Sequence, residues 1–214
     1  YILYSHDDMY FCPGWDTTLN DEITNLNTDA YYLSGTMIER SSGHIQIDCG
    51  NDCDDFDEEK LLREYKKDKF FDHQGSHWAP HLIHKDYWNK IGGFSEEFNP
   101  GIGSDPDLNI KLWNCGVRIF KGLSKFRVYH FGSVVLRKKK DFLRNKGAET
   151  FLLKWGITPT FFVRFYLNGA SFKDGVIKCN KYEDPLNEPK RNLSFLINFL
   201  LCKIKFLYSK LFKF

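Results

Sequence analysis

The chain has almost no surplus of charge. Thirty Lys and Arg face 28 Asp and Glu, a formal net charge of +2. A nucleic-acid partner is not expected from such a balance, because a phosphate backbone selects a concentrated basic surface. The six cysteines form no Cys-x-x-Cys pair, so neither a redox motif nor a ribbon-type zinc site is indicated, and they read as reduced thiols in a cytosolic setting. There is no basic stretch leading into an apolar core at the start, so no secretory signal is expected. The first residue is Tyr1 rather than Met, which suggests a fragment of a longer chain. No uncharged apolar run reaches the ~18 residues that argue for a membrane-spanning helix. Internal repeats and low-complexity tracts are also missing. What is present is material for a core: 214 residues, 42% hydrophobic and 17% aromatic, enough for one ordinary domain and an appendage.

Tyr1 to Trp15 is the stretch around which the chain is organised. A short apolar run, Tyr1 to Tyr4, reads as a strand. Asp7 and Asp8 follow, and Pro13-Gly14 marks a turn. Acidic side chains at the carboxyl end of a strand suit a hard divalent cation, which takes oxygen ligands. Further on, Asp16–Ala30 reads as a polar segment, and Tyr31–Ile38 as a strand interrupted at Gly35. Residues 41–57 read as an acidic loop. Asp57–Lys69 reads as a helix with an apolar stripe of Leu61, Leu62 and Tyr65. Lys85–Ile91 predicts a helix stopped by Gly92-Gly93. Asp105, just before Pro106, is the expected N-cap of a helix carrying Leu108, Leu112 and Cys115 on one face, with Gly116 as its stop. Val117–Phe120 and Phe126–Phe131 read as two short strands. A basic patch (Arg137–Lys140), a helix ending at Trp155-Gly156 and an aromatic segment (Pro159–Asn168) complete the body.

Three groups stand out chemically. Asp7 and Asp8 are candidates for a metal that also grips a diphosphate. Asp105 is a candidate general base, expected to stay ionised through the helix dipole and backbone donors at a helix start. His130, at a strand end, could complete the metal site begun by Asp8 or touch a phosphate. Against these stand plain structural readings: a solvated turn, a helix cap and a core histidine. His73, His77, His81 and His84, with Cys49 and Cys53, fit no closed zinc spacing, and Pro80 breaks any helix that would align them. The acidic run Asp48–Glu59 lacks the glycine and closing glutamate of a calcium loop.

The order of motifs resembles the second half of a family 2 glycosyltransferase with the GT-A fold. The segments that carry it are the strand ending in His6-Asp7-Asp8-Met9, then Pro80-His81-Leu82-Ile83, then Ile91-Gly92-Gly93-Phe94-Ser95-Glu96-Glu97-Phe98. Ser104-Asp105-Pro106-Asp107-Leu108 and Val128-Tyr129-His130-Phe131-Gly132-Ser133 follow. Lys154-Trp155-Gly156 also resembles a segment of bacterial members. The resemblance covers about residues 1–156. It implies an α/β fold, a mixed sheet flanked by helices, from which the N-terminal nucleotide-binding half is missing. It implies Asp7 and Asp8 at the metal and sugar-nucleotide diphosphate, with Asp8 and His130 as metal ligands and Mg²⁺ or Mn²⁺ as the cation. It places Asp105 as catalytic base and Trp78, Gly92, Gly93, Phe94 and Asp107 on the acceptor side. The implied reaction is inverting sugar transfer from a nucleotide-sugar to a hydroxyl of a glycan or lipid-linked acceptor. His6 stands where the family's acidic triplet begins, Ser104 stands where a Glu precedes the catalytic Asp, and Ser41–Ser76 reads as an insertion.

The remainder divides into an extension, residues 157–192, and a tail, residues 193–214. The tail mixes Leu, Ile and Phe with Lys203, Lys205, Lys210 and Lys213. It reads as a basic amphipathic helix on a membrane surface, with a helix docked on its own domain or on a partner as the plain alternative. The expected location is therefore cytoplasmic and peripherally membrane-associated. Other functions compatible with the same residues are a non-catalytic carbohydrate-binding relative, a metal-dependent phosphotransferase or hydrolase, and a membrane-surface interaction module.

Overall fold

The computed structural model describes residues 1–99, 101–132, 146–173 and 176–212, and the side chains of 171–173 and 176 are not among those described. The expected basic patch at Arg137–Lys140, Ser133 of the late-strand motif and Lys213 of the tail lie outside the described residues.

A mixed α/β architecture results. The main sheet runs in the order β1 (Ile2–Tyr4), β6 (His81–Ile83), β3 (Tyr31–Glu39), β7 (Ile119–His130), β2 (Met9–Phe11). Two short strands, β4 (Ile45–Gln46) and β5 (His73–Gln74), pair beside this path with β3 and β7. β3 and β7 are parallel, and β6 lies antiparallel to both β3 and β1. β1, β3 and β7 therefore point the same way, and their carboxyl ends share one rim of the sheet. β2 opposes β7, with Met9 beside His130. A separate hairpin pairs β8 (Ser171–Lys173) with β9 (Val176–Lys178).

β3 is buried from Tyr31 through Ile38, as expected of a central strand covered on both faces. Tyr32 joins Phe120, Leu108, Leu112, Trp113, Phe151 and Phe162 on one side of the sheet. Tyr31 and Leu33 join Leu19, Leu82, Phe126 and Val128 on the other. A third cluster gathers Ile38, Ile45, Leu61, Tyr65 and Tyr129.

Several elements differ from the sequence reading. Residues read as a polar segment form α1 (Trp15–Asn25). Its inward stripe is thin, one apolar residue per turn at Trp15, Leu19 and Ile23, with only Leu19 fully buried. β7 is one continuous strand where two were expected. Its register against β3 slips between Gly35 and Thr36, which face Leu123 and Arg127. The extra residues Ser124–Phe126 are taken up at this irregularity, and their polar members made the pattern look broken. The segment 41–76 holds β4, α2 (Glu58–Glu64) and β5 as well as loop. In α2, Leu61 and the following Tyr65 are buried but Leu62 is 41% exposed, so the expected stripe is narrower by one residue. α3 (Lys85–Ile91) ends at Gly92 in the left-handed region, as read.

α4 (Ser104–Asn114) begins two residues earlier than expected. Its N-cap is Gly103, left-handed and without a side-chain cap, so Asp105 sits inside the first turn and is not the cap. α5 (Gly147–Trp155) stops at left-handed Gly156. α6 (Pro159–Phe162) continues into a π-turn over Val163–Leu167, and Phe161, Phe162 and Leu167 enter the same core as α4.

The tail is α7 (Leu193–Phe212). Phe195, Cys202 and Ser209 form its buried stripe, spaced seven residues apart, and Phe195 packs on Phe161 and Phe165. A second apolar stripe, Leu193, Leu196, Leu200, Ile204, Leu207 and Leu211, is turned outward, each residue at least half exposed. Among the described residues, no helix is long and apolar enough to cross a membrane.

Candidate functional site

The shared rim of β1, β3 and β7 gathers the polar groups. His130 ends β7, Glu39 ends β3, and His6, Asp7 and Asp8 follow β1. His130 Nδ1 lies 2.6 Å from Glu39 Oε1 and its Nε2 lies 3.4 Å from Asp8 Oδ2. Burial works against a charged imidazole here, but the hydrogen bonds to Asp8 and Glu39 outweigh it and lift the His130 pKa to about 9. His6 completes the group: one donor atom each from His6, Asp8 and His130 lies within 4.8 Å of the others. Two imidazoles and a carboxylate form a mixed donor set. It fits a divalent transition ion such as Mn²⁺ better than Mg²⁺, which prefers oxygen.

Tyr4, the last residue of β1, extends the site towards α4. Its ring touches His6 (5.7 Å between centroids), His81 (5.2 Å) and Phe94 (4.7 Å). Burial first, and then the negative charges of Asp105 and Asp7, push the Tyr4 hydroxyl pKa upward. Asp105 and Asp7 therefore both act on the same side chain. Asp105 is half-buried, and burial raises its carboxyl to about 7. This corrects the expectation that the helix start holds it well ionised: loss of water outweighs the dipole of α4. Beside it, the Tyr32 hydroxyl lies 3.0 Å from both His81 Nδ1 and the Trp78 carbonyl. Burial lowers the His81 pKa to about 3, so this ring is neutral.

A cavity of about 400 Å³ opens next to His6 and His130, bounded also by Glu39, Met37, Trp78 and Ile177. A larger one, about 740 Å³, lies away from these groups, against α1, Tyr65 and Arg127. It holds none of the acidic or imidazole groups of the rim, so its size alone does not make it the reactive site.

The acceptor-side residues separate. Trp78 lines the smaller cavity, and Phe94 touches Tyr4 and His81. Gly93 is left-handed, and a Cβ there would come within 3.0 Å of the Trp88 ring, so only glycine lets this loop lie on α3. Gly92 is exposed at the end of α3. Asp107 is not at the rim. It is 0% exposed, and its two oxygens meet Ser95 Oγ (2.6 Å), Trp155 Nε1 (2.8 Å), Lys154 Nζ (2.9 Å) and Lys111 Nζ (3.8 Å). This carboxylate joins α4 to the 95–98 turn and α5, and has no oxygen left for an acceptor. Asp7 is exposed and stands outside the three-donor group.

Two members were missed in the sequence. His6 was legible in principle, since its spacing to Asp8 is that of the acidic triplet it interrupts. Glu39 had no local signal, because only the pairing of β3 with β7 brings it to His130.

A second group lies on the far side of Trp78. His44, His73 and Cys179 each offer a donor atom within 4.8 Å of the others. Burial keeps both imidazoles neutral, driving the His44 pKa well down and that of His73 to about 4. Of the set His73, His77, His81, His84, Cys49 and Cys53, only His73 takes part. All six cysteines are free thiols.

Comparison with protein-family models, with curated proteins and with solved structures finds no match to this chain.

Proposed function

We propose that this chain carries the acceptor and metal half of an inverting, family 2-like glycosyltransferase with a GT-A-type sheet. The substrates would be a nucleotide-sugar and a hydroxyl of a glycan or lipid-linked acceptor. One observation carries the reading. The carboxyl ends of the parallel strands bring His6, Asp8 and His130 together, and Tyr4 at the end of β1 lies in the field of both Asp105 and Asp7. Open α/β sheets bind ligands at this kind of rim.

In this reading Asp105 takes the proton of the acceptor hydroxyl. The oxygen forms its bond to the anomeric carbon from the face opposite the diphosphate, and the carbon–oxygen bond to the diphosphate breaks with its electron pair leaving on phosphate oxygen. A carboxyl held near 7 suits a base working at neutral pH better than an ordinary aspartate does. A divalent cation on His6, Asp8 and His130 would offset the charge that builds on the leaving diphosphate. Phe94 and Trp78 offer flat apolar faces against which a sugar ring can lie.

The test is transfer of labelled sugar with Asp105→Asn. General-base removal typically costs ~10²–10⁴-fold in rate. Unchanged transfer in a folded Asp105→Asn variant overturns the assignment. Donor hydrolysis that needs no acceptor and also depends on Asp8 would favour a metal-dependent phosphotransferase or hydrolase on the same groups.

The outward stripe of α7 supports a second component of the proposal, attachment to a membrane surface. Leu193, Leu196, Leu200, Ile204, Leu207 and Leu211 form a continuous apolar face that the domain leaves uncovered. Of the four tail lysines, Lys203 is spoken for: its Nζ binds the Gly156 carbonyl at 3.1 Å and lies over Phe199. Lys205 and Lys210 are exposed, placed to meet anionic headgroups.

A further inference from the structure

We infer, building on the membrane attachment proposed above, that the groove between α6 and α7 binds an anionic phospholipid. Its phosphate meets Arg164 and Lys205, and its acyl chains rest on the apolar walls. Shape, charge and position lead there together.

A cavity of about 450 Å³ opens where the start of α6 faces the middle of α7. Small-molecule sites commonly span ~300–1,000 Å³, so the groove can take a headgroup and the chain segments next to it. Pro159, Phe161, Phe165 and Leu201 supply its apolar walls. The floor is firm. Phe161 is buried, and its ring packs on Phe165 at 4.7 Å and on Phe195 at 5.1 Å between centroids. A floor held by the core keeps its shape when nothing fills the groove.

The charge around the groove has one sign. Arg164 and Lys205 stand on its lining, and no Asp or Glu does. Both side chains are exposed, and among the described residues neither makes an ion pair. The Arg164 guanidinium lies over the Phe165 ring, 5.0 Å from its centroid, which orders it beside the groove. A guanidinium offers phosphate a fork of N–H donors, and an ammonium adds a point charge. Two cations above an apolar hollow complement an amphiphile with an anionic head. Free phosphate would leave the walls wet, and an uncharged chain would leave the cations unpaired.

Position makes that amphiphile a membrane lipid. Leu201 is 49% exposed and stands between Ile197 and Ile204 on successive turns, both exposed, so the groove wall runs into the outward face of α7. Lys205 lies one turn beyond Leu201, and buried Cys202 marks the opposite wall. With the outward face of α7 seated in the acyl region, long cationic side chains at its border reach the headgroup level.

Dihexanoyl phosphatidylglycerol, kept below its micelle-forming concentration, probes the groove without a bilayer. Titrated into the full chain and followed by calorimetry, it should bind as one saturable equivalent. Inorganic phosphate should bind at least ~10-fold more weakly, because it buries no hydrocarbon. Arg164→Gln with Lys205→Gln should weaken binding of the short lipid by ~10-fold or more. Both side chains are exposed, and circular dichroism confirms that the variant folds. On vesicles, the parent should prefer phosphatidylcholine containing phosphatidylglycerol over phosphatidylcholine alone. The double substitution should cut that preference by ~30-fold, the worth of two basic residues near an anionic surface. No saturable binding of the short lipid, equal binding of inorganic phosphate, or binding that the double substitution leaves unchanged would each overturn the groove site. Short-lipid binding by a parent chain that floats with neither vesicle would support the groove and remove the membrane attachment.

Discussion

Asp105 shows how burial sets chemistry at a single residue. Its carboxyl titrates near 7 in the fold, against 3.8 for an ordinary aspartate. Between those values the unfolded chain has released the proton while the folded chain keeps it, so this group removes stability as pH rises through that window. Asp105→Asn should therefore melt higher than the parent above pH 7, with the difference vanishing near pH 4. A melting series across that range checks it, and the opposite slope would contradict the assigned environment. In the proposed reaction, with Asp105 as the base, the same titration predicts transfer that rises with pH through about 7. Asp107 makes the contrasting case. Asp107→Ala would strand Lys154 and Lys111 next to the empty pocket it leaves, and breaking a buried pair costs ~3–5 kcal/mol. Urea unfolding should place this variant near the lower bound, since both lysines reach solvent.

At the scale of elements, α7 has two apolar faces with different tasks. Phe195 packs into the core on Phe161 and Phe165, so Phe195→Ala should cost about 3 kcal/mol or more in stability. Leu200→Glu with Leu207→Glu lies on the outward face. The pair should leave the melting temperature within a degree or two, since exposed substitutions stay within about 0.5 kcal/mol. It should abolish co-flotation with anionic vesicles, and retained flotation would remove α7 as the anchor. The elements also show what sequence can disclose. α3 was readable because an apolar spacing ends in Gly92-Gly93, and the opening strand because its apolar run stops at a pair of acids. α1 was not, since one inward residue per turn gives too faint a period. β7 was split by Ser124 and Lys125, which only its offset against β3 explains. At the rim, Asp8 and His130 were singled out because each follows an apolar strand-like run, and the fold brings the two side chains together. Glu39 and the His44–His73–Cys179 group depend on long-range strand pairing and carry no local pattern.

For the molecule as a whole, direction of the strands matters most. Because β1, β3 and β7 run in parallel, whatever follows each of them arrives at one rim, and polar groups from residues 6, 39 and 130 meet there. Asp8→Asn and His130→Ala should each weaken Mn²⁺ binding, measured by electron paramagnetic resonance of the free ion. Trp78 stands between the two groups, lining the cavity beside His6 and His130 and resting on His44 and His73. Its indole is thus a natural lamp at the wall of that cavity. Subtracting the emission of Trp78→Phe from that of the parent isolates it from the other four tryptophans. Such a spectrum would register an arrival in the cavity by colour and brightness, with no label attached to the protein.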